Sequence, residues 1–148
     1  MFRGSFSHTL DDKGRFTVPA RFKDAIRASS GDAVMITFMD DCLVAYTLDE
    51  WGKIEDRILS LAEKSRSMRR FRRMFVGGAH ECTCDKQGRV LVPPTLRADA
   101  ALEKDIVLVG VLDHFEIWSQ EKWAQEKEAM GEDMQRAEVA DEIAKLGL

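Results

Sequence analysis

Two aspartate–arginine pairs, each with three residues between its members, are the part of the sequence best suited to recognise a ligand. Asp11 precedes Arg15 and Asp85 precedes Arg89, and a glycine stands directly before each arginine. An aspartate at this distance can hold the guanidinium by a bidentate contact and fix its direction. A guanidinium oriented in this way suits the paired acceptors of guanine in the major groove. The alternative is that aspartate and glycine only form a turn and that the arginines are solvated.

The two pairs belong to a longer stretch that the chain contains twice. Residues 11–19 read Asp-Asp-Lys-Gly-Arg-Phe-Thr-Val-Pro, and residues 85–93 read Asp-Lys-Gln-Gly-Arg-Val-Leu-Val-Pro. The likeness continues to Trp51 in the first copy and Trp123 in the second. Two copies of one unit indicate an internal duplication. Because 148 residues are too few for two ordinary domains, we expect one pseudo-symmetric domain.

Charge is segregated along the chain, although the net charge is −4. Residues 1–30 contain six basic and three acidic residues, residues 64–73 contain six basic residues and no acid, and residues 119–148 contain eight acids and four bases. A nucleic-acid-binding surface needs positive electrostatic potential only where it meets the ligand, and the protein as a whole need not be basic. Nucleic acid therefore remains a possible ligand. The basic run predicts either a solvated helix face or ion pairs with a neighbouring protomer, with phosphate contact as the alternative.

Hydrophobic periodicity predicts the same order of elements in both copies: strand, turn, strand, short helix, hairpin and longer helix. We expect a single domain over 1–148, with a first half-repeat at 1–63 and a basic connecting helix at 64–78. A second half-repeat follows at 79–130 and an acidic C-terminal helix at 131–148, with Gly131 interrupting the helical pattern. Thr47 and Ser119 are predicted N-caps, and Glu50 completes a capping box in the first copy alone.

The double motif resembles the signature of the MraZ family, as do the opening Met1-Phe2-Arg3-Gly4 and the Val18-Pro19 that follows the first arginine. The resemblance covers nearly the whole chain and fades after about Met130. It implies an α+β, β-dominated fold. Specifically, it implies an AbrB-like swapped-hairpin β-barrel built from two half-repeats of one chain, with peripheral helices.

The resemblance also implies a function. MraZ proteins are sequence-specific DNA-binding transcriptional regulators that form homo-oligomeric rings on double-stranded DNA. They bind direct repeats in the promoter of the division and cell-wall gene cluster, which includes their own gene. A ring that repeats one hairpin would gain affinity on repeated sites through effective concentration. We therefore expect a cytoplasmic, nucleoid-associated protein with no membrane association.

The expected DNA-contacting residues are the motif residues, the lysines of the turns and one N-terminal arginine. They are Arg15, Lys13, Arg89, Lys86, Asp11, Asp85 and Arg3. The second turn is the more positive of the two, which favours Arg89 as the main DNA contact. In the first turn a lysine stands beside the glycine and Arg3 is near, which favours Arg15. We place Arg15 marginally first and expect both arginines to matter.

The sequence contains no constellation typical of an enzyme. There is no Gly-x-Ser-x-Gly elbow and no phosphate-binding loop, so we expect no catalytic residue and no cofactor. His80, Cys82 and Cys84 could suggest a metal site, but their counterparts are mostly apolar and we expect core residues and no metal. Two other functions remain open: an AbrB-like antitoxin that binds operator DNA and a toxin, and an oligomeric scaffold without a DNA role.

Overall fold

The computed structural model describes residues 1–29, 31–61 and 65–148, and these form eight strands and six helices. The strands are β1 Ser5–Thr9, β2 Arg15–Thr17, β3 Ala33–Met39, β4 Cys42–Thr47, β5 His80–Thr83, β6 Arg89–Leu91, β7 Asp105–Gly110 and β8 Phe115–Ser119. The helices are α1 Ala20–Arg27, α2 Leu48–Ser60, α3 Arg66–Phe75, α4 Pro94–Asp99, α5 Gln120–Asp133 and α6 Ala137–Ala144. The predicted order of elements is therefore confirmed in both halves.

The helix ends show where local sequence signals act and where they do not. The side chains of Thr47 and Ser119 accept hydrogen bonds from the backbone N–H three residues later, at 3.3 and 3.1 Å, so both predicted N-caps are confirmed. The predicted interruption at Gly131 is wrong, because α5 continues through this residue to Asp133. A glycine inside a helix costs only about 1 kcal/mol, which its helix-forming neighbours can offset. The predicted start of the basic helix at residue 64 lies outside the described residues.

The main sheet has six antiparallel strands in the order β1-β7-β8-β4-β3-β5. Its centre is the β4–β8 pair, which brings the hairpins of the two halves together. The outer strands are exchanged: β1 of the first half pairs with β7 of the second, and β5 of the second half pairs with β3 of the first. The duplication therefore produces two interleaved halves.

The predicted closure into a β-barrel is wrong. Strands β1 and β5 are the two edges of the sheet, and β2 pairs with β6 in a separate two-stranded ribbon. We call this pair the arginine ribbon. Each of its strands has only three residues and is followed closely by a proline, Pro19 or Pro93. Proline lacks the N–H that a continued ladder needs, so each strand of the ribbon ends after three residues.

The two faces of the sheet bury different sets of side chains. On one face, the arginine ribbon, α1 and α4 enclose the main core, in which Phe22 contacts Phe2, Phe6 and Phe115. On the other face, α2, α3 and α5 cover a second cluster that contains Trp51 and Trp118. Both tryptophans are core residues. Within the described residues, no helix is long and apolar enough to span a bilayer.

Candidate nucleic-acid interface

The first turn, residues 11–14, is fixed by the carboxylate of Asp11. Its Oδ1 accepts hydrogen bonds from the backbone N–H groups of Lys13 at 3.0 Å and Arg15 at 2.9 Å. Gly14 has φ +87°, and its N–H donates to the carbonyl of Asp11 at 2.9 Å. Only glycine adopts this region without steric cost, so the turn depends on both residue types.

The second turn, residues 85–88, repeats this geometry. Asp85 Oδ1 accepts from the backbone N–H groups of Gln87 at 2.9 Å and Arg89 at 2.8 Å. Gly88 again has positive φ, at +75°. Two turns with different central residues therefore converge on one structure, because the aspartate and glycine determine it.

Each aspartate also holds the side chain of its arginine. Asp11 Oδ2 accepts from Arg15 Nε at 2.7 Å, and Asp85 Oδ2 accepts from Arg89 Nε at 2.9 Å. The predicted carboxylate–guanidinium contact is confirmed, but it is not bidentate, because the other oxygen of each carboxylate is bound to backbone amides. The contact uses Nε, and among the described residues no recorded hydrogen bond uses the terminal Nη1 and Nη2 of either arginine. Each guanidinium is therefore fixed at its base with its terminal nitrogens available to a ligand.

These contacts keep both aspartates ionised. Hydrogen bonds from the backbone N–H of Arg15 and then from its guanidinium lower the pKa of Asp11 to about 2. The backbone N–H of Arg89, together with its side chain, likewise lowers the pKa of Asp85. Both carboxylates are therefore charged at neutral pH, and each arginine keeps its partner.

The arginine ribbon places both arginines on one face. Phe16 and Val90 are directly opposite each other and are buried in the main core. Since side chains alternate along a strand, Arg15 and Arg89 lie on the outer face of the ribbon. Arg89 is opposite Thr17, two residues from Arg15, which corresponds to about 7 Å along the ribbon. The two predicted arginines therefore form one surface.

Each turn is completed by a basic residue from the other half of the chain. A Cβ at Gly14 would lie 2.6 Å from Arg97 Cζ, so the Arg97 side chain crosses the first turn. At Gly88 the corresponding neighbour is the end of the Lys23 side chain. The glycine carbonyls accept hydrogen bonds from Val92 N–H and Val18 N–H, both at 2.9 Å, so the backbone interlocks as well.

Lys23 and Arg97 were not among the residues predicted from the sequence. They occupy equivalent positions in the two copies, one on α1 and one on α4, and both are basic. That equivalence was the available signal. It could not show that each residue lies at the turn of the opposite half.

The structure brings six of the seven predicted residues to the two turns and leaves Arg3 apart. Lys13 and Lys86 are exposed within the turns. Arg3 lies at the opposite end of β1, where its backbone packs against Gly110. Six residues of extended chain separate it from Thr9, or about 20 Å. The position of Arg3 therefore gives no reason to place Arg15 before Arg89 as the main DNA contact.

The other candidates lie away from the ribbon. Helix α3, which contains most of the basic run, packs on the opposite face of the sheet through Phe75. Cys82 is buried in the main core, where burial raises its pKa to about 11. In residues 1–29, 31–61 and 65–148, no group of three His, Cys, Asp or Glu side chains could hold a metal ion.

A duplicated chain whose halves exchange strands and whose ribbon presents two clamped arginines defines an AbrB-like class of domain. Comparison with known proteins identifies the family within that class. The model described as "MraZ protein, putative antitoxin-like" matches twice, at residues 1–74 and 74–145. The chain belongs to the MraZ family.

Three relatives show the extent of the similarity, and each is named "Transcriptional regulator MraZ". The protein of Desulforapulum autotrophicum is 58% identical and that of Desulfosudis oleivorans 52% identical, in both cases over 100% of either chain. The protein of Shewanella violacea is 43% identical over 95% of this chain and 93% of its own. The similarity therefore includes both turns and the C-terminal helices.

Proposed function

We propose that this chain is a sequence-specific DNA-binding transcriptional regulator that reads bases with Arg15 and Arg89. The observation that carries the proposal is the pair of Nε contacts to Asp11 and Asp85, on one outward face of one ribbon. The names of the relatives support a regulator and not an enzyme.

The ribbon has suitable dimensions for the major groove, which admits a two-stranded β-ribbon. The terminal nitrogens of each arginine donate to O6 and N7 of a guanine, a contact worth about 1–3 kcal/mol of discrimination against another base. The fixed Nε reduces the side-chain entropy that is lost when the arginine binds. The spacing of about 7 Å along the ribbon corresponds to about two base steps of 3.4 Å.

The basic residues of the two turns position the ribbon on the DNA backbone. Lys13 and Lys86 are exposed at the turns, and Lys23 and Arg97 cross them. These side chains neutralise phosphates, which supplies affinity without sequence preference and makes binding depend on salt.

The same proposal includes the assembly and the target. One ribbon with two reading arginines on a chain of net charge −4 binds weakly, so protomers act as a homo-oligomeric ring on direct repeats. The target is the promoter of the division and cell-wall gene cluster that includes its own gene, and the site of action is the cytoplasmic nucleoid.

The alternative functions make different demands on the chain. An antitoxin of the AbrB type would have a disordered tail that folds on its toxin, whereas α6 Ala137–Ala144 is helical. A scaffold without a DNA role would not need two carboxylates to hold two partly exposed guanidinium groups on one face. The clamped arginines therefore favour the regulator.

A titration of DNA from upstream of its own gene tests the proposal. Wild type is compared with Arg15→Ala and Arg89→Ala over a salt series, with Arg57→Ala, an exposed arginine of α2 on the other face, as the matched control. We expect each ribbon variant to bind about 5-fold to 150-fold more weakly, from about 1–3 kcal/mol per guanine contact. The control should bind like wild type. Equal binding by all four proteins would remove the ribbon from the interface.

A further inference from the structure

Helix α3 carries a row of basic side chains along one face. The residues of this row are three, four or seven positions from the first one, so they lie on one face of the helix. They are Arg66, Arg69, Arg70 and Arg73, which we call the basic stripe. No ion pair recorded among the described residues involves any of them. Beside the stripe, Met74 is 72% exposed. The stripe therefore combines unpaired positive charge with uncovered apolar surface.

The C-terminal end of the chain has the opposite charge. We call residues 126–148 the acidic tail; they contain seven acidic and three basic residues. One of the basic residues, Arg136, already pairs with Asp133 and Glu138 in the tail itself. Met130 and Met134 are about half exposed, and Leu146 is 74% exposed. The tail therefore offers both carboxylates and apolar side chains to a partner.

The two surfaces lie on the same side of the sheet but toward opposite ends of it. Helix α3 packs on β3, whereas α5, which leads into the tail, packs on β7 and β8. In the strand order β7-β8-β4-β3, three strand spacings or about 14 Å separate β7 from β3. No recorded ion pair joins the stripe and the tail within the part of the chain that is described. Each surface is therefore free to meet the other on a second copy.

DNA is a less suitable occupant of the basic stripe. The arginine ribbon packs on the main core, whereas α3 covers the opposite face of the sheet through Phe75. A duplex bound along the ribbon would have the whole sheet between it and the stripe. The acidic tail matches the stripe in charge and in exposed apolar side chains, and every copy of the chain supplies one.

We propose that the basic stripe of one copy binds the acidic tail of the next copy. The inference rests on the proposed ring and names the surfaces that form it. The contact joins two different surfaces, so it is a head-to-tail interface, which generates a ring when the rotation between copies closes. Each protomer then contributes one stripe and one tail, and its arginine ribbon on the other face remains open to DNA.

The experiment uses two blocked variants and one control, studied by sedimentation velocity. Arg70→Glu with Arg73→Glu blocks the stripe, and Asp141→Lys with Glu142→Lys blocks the tail. Lys53→Glu with Arg57→Glu, on exposed positions of α2, reverses the same number of charges as the stripe variant. Because close interfacial charge pairs are strongly coupled, we expect self-association of each blocked variant to weaken by about 10-fold or more. The control should keep the wild-type mass.

Mixing the two blocked variants gives the sharpest result. The intact tail of the stripe variant meets the intact stripe of the tail variant, and the two reversed surfaces are also complementary in charge, so the mixture should form larger oligomers than either variant alone. Circular dichroism checks that each variant is folded. Blocked variants that keep the full oligomer mass would overturn this interface. Unchanged mass with weaker DNA binding by the stripe variant would also overturn it and make α3 a DNA contact. A monomeric wild type would overturn both interface and ring.

The same proteins separate this inference from the proposed function. A blocked, monomeric variant keeps both arginine ribbon and turns, so it should still bind a short duplex with a single repeat as wild type does. Its loss of affinity should appear only on DNA with several repeats. The Arg15→Ala protein should keep its oligomer but lose binding to the single repeat. This result tests the proposed DNA-binding function independently of the interface.

Discussion

Arg97 lies across the backbone of Gly14, although the two residues belong to opposite halves of the chain. The Arg97 Nε donates to the carbonyl of Val92 at 3.1 Å, and the N–H of Val92 donates to the carbonyl of Gly14 at 2.9 Å. The first turn is therefore supported by β6 and α4, and the second turn by the equivalent contacts of Lys23 and Val18. Neither turn is an independent hairpin tip.

Gly14→Ala should destabilise the protein by more than the strain of the turn alone. Alanine at φ +87° costs about 1–2 kcal/mol, and its Cβ would also displace the Arg97 side chain. Gly31→Ala is the matched control, because Gly31 has φ +108° but no neighbour within 4 Å of an added Cβ. Urea unfolding of both variants measures the difference. Equal losses would show that the Arg97 contact adds nothing.

Asp11→Asn should weaken DNA binding even though it removes a negative charge from the interface. The amide cannot hold the Arg15 Nε as the carboxylate does, so the guanidinium loses its fixed direction. Because the guanidinium must then be ordered when it binds, we expect the affinity for DNA to fall by about 2-fold to 10-fold. Asp12→Asn, which removes the adjacent exposed charge, is the control and should bind equally or more tightly. If Asp11→Asn bound DNA more tightly than wild type, the only effect of Asp11 on binding would be electrostatic repulsion of the DNA.

The turn contacts should be insensitive to pH across the neutral range. The pKa of Asp11 is about 2 in the folded protein, below its ordinary value of 3.8, chiefly because the backbone N–H of Arg15 donates to it. A lowered folded pKa gives stabilisation that is complete above the ordinary value and is lost as pH falls toward 2. Acid titration followed by NMR should show the Asp11 carboxyl protonating well below its ordinary pKa of 3.8. A pKa of Asp11 near 3.8 would contradict the clamp.

His114 should make stability depend on pH in the opposite sense. Hydrogen bonding to Glu116 and then to Asp113 raises the pKa of His114, despite partial burial. The distances are 2.7 Å from Nδ1 to Asp113 Oδ1 and 3.5 Å from Nε2 to Glu116 Oε2. The stabilisation is therefore complete below the unfolded pKa of about 6.5 and is lost as pH rises through the folded pKa.

Urea unfolding from about pH 5 to pH 9 measures this dependence. The free energy of unfolding should fall across the window in wild type and should be flatter in His114→Gln. His80→Gln, at an exposed position of β5, is the control and should follow wild type. Parallel curves for wild type and His114→Gln would show that folding does not raise the pKa of the histidine.

The sequence predicts what depends on short-range patterns. Asp11, Gly14 and Arg15 are close in sequence, so their types alone predict the turn and the clamp, and the second copy repeats them. The pairing of β2 with β6 joins residues more than seventy positions apart, and no local pattern shows that this ribbon stays separate from the sheet. The wrong prediction of a closed barrel has this cause.

The positions of Arg97, Lys23 and Arg3 have the same explanation. Each depends on which element of the other half packs nearby, and that is decided by the exchange of β1 and β5. Gly131 is different, because its helical state is local. There the helix propensity of the flanking residues exceeds the cost of one glycine.

The exchange of outer strands also determines when the chain can acquire its structure during synthesis. Ser5 pairs with Val109, more than a hundred positions later in the chain. Strand β4 cannot pair with β8 until β8, which ends at Ser119, has been synthesised. A ribosome that has delivered only the first half has produced a chain with an unpaired β1 and an uncovered β4. Contacts of such long sequence separation form slowly. The nascent chain should therefore stay open to chaperones until nearly all of it has emerged, and a truncated first half should not fold alone.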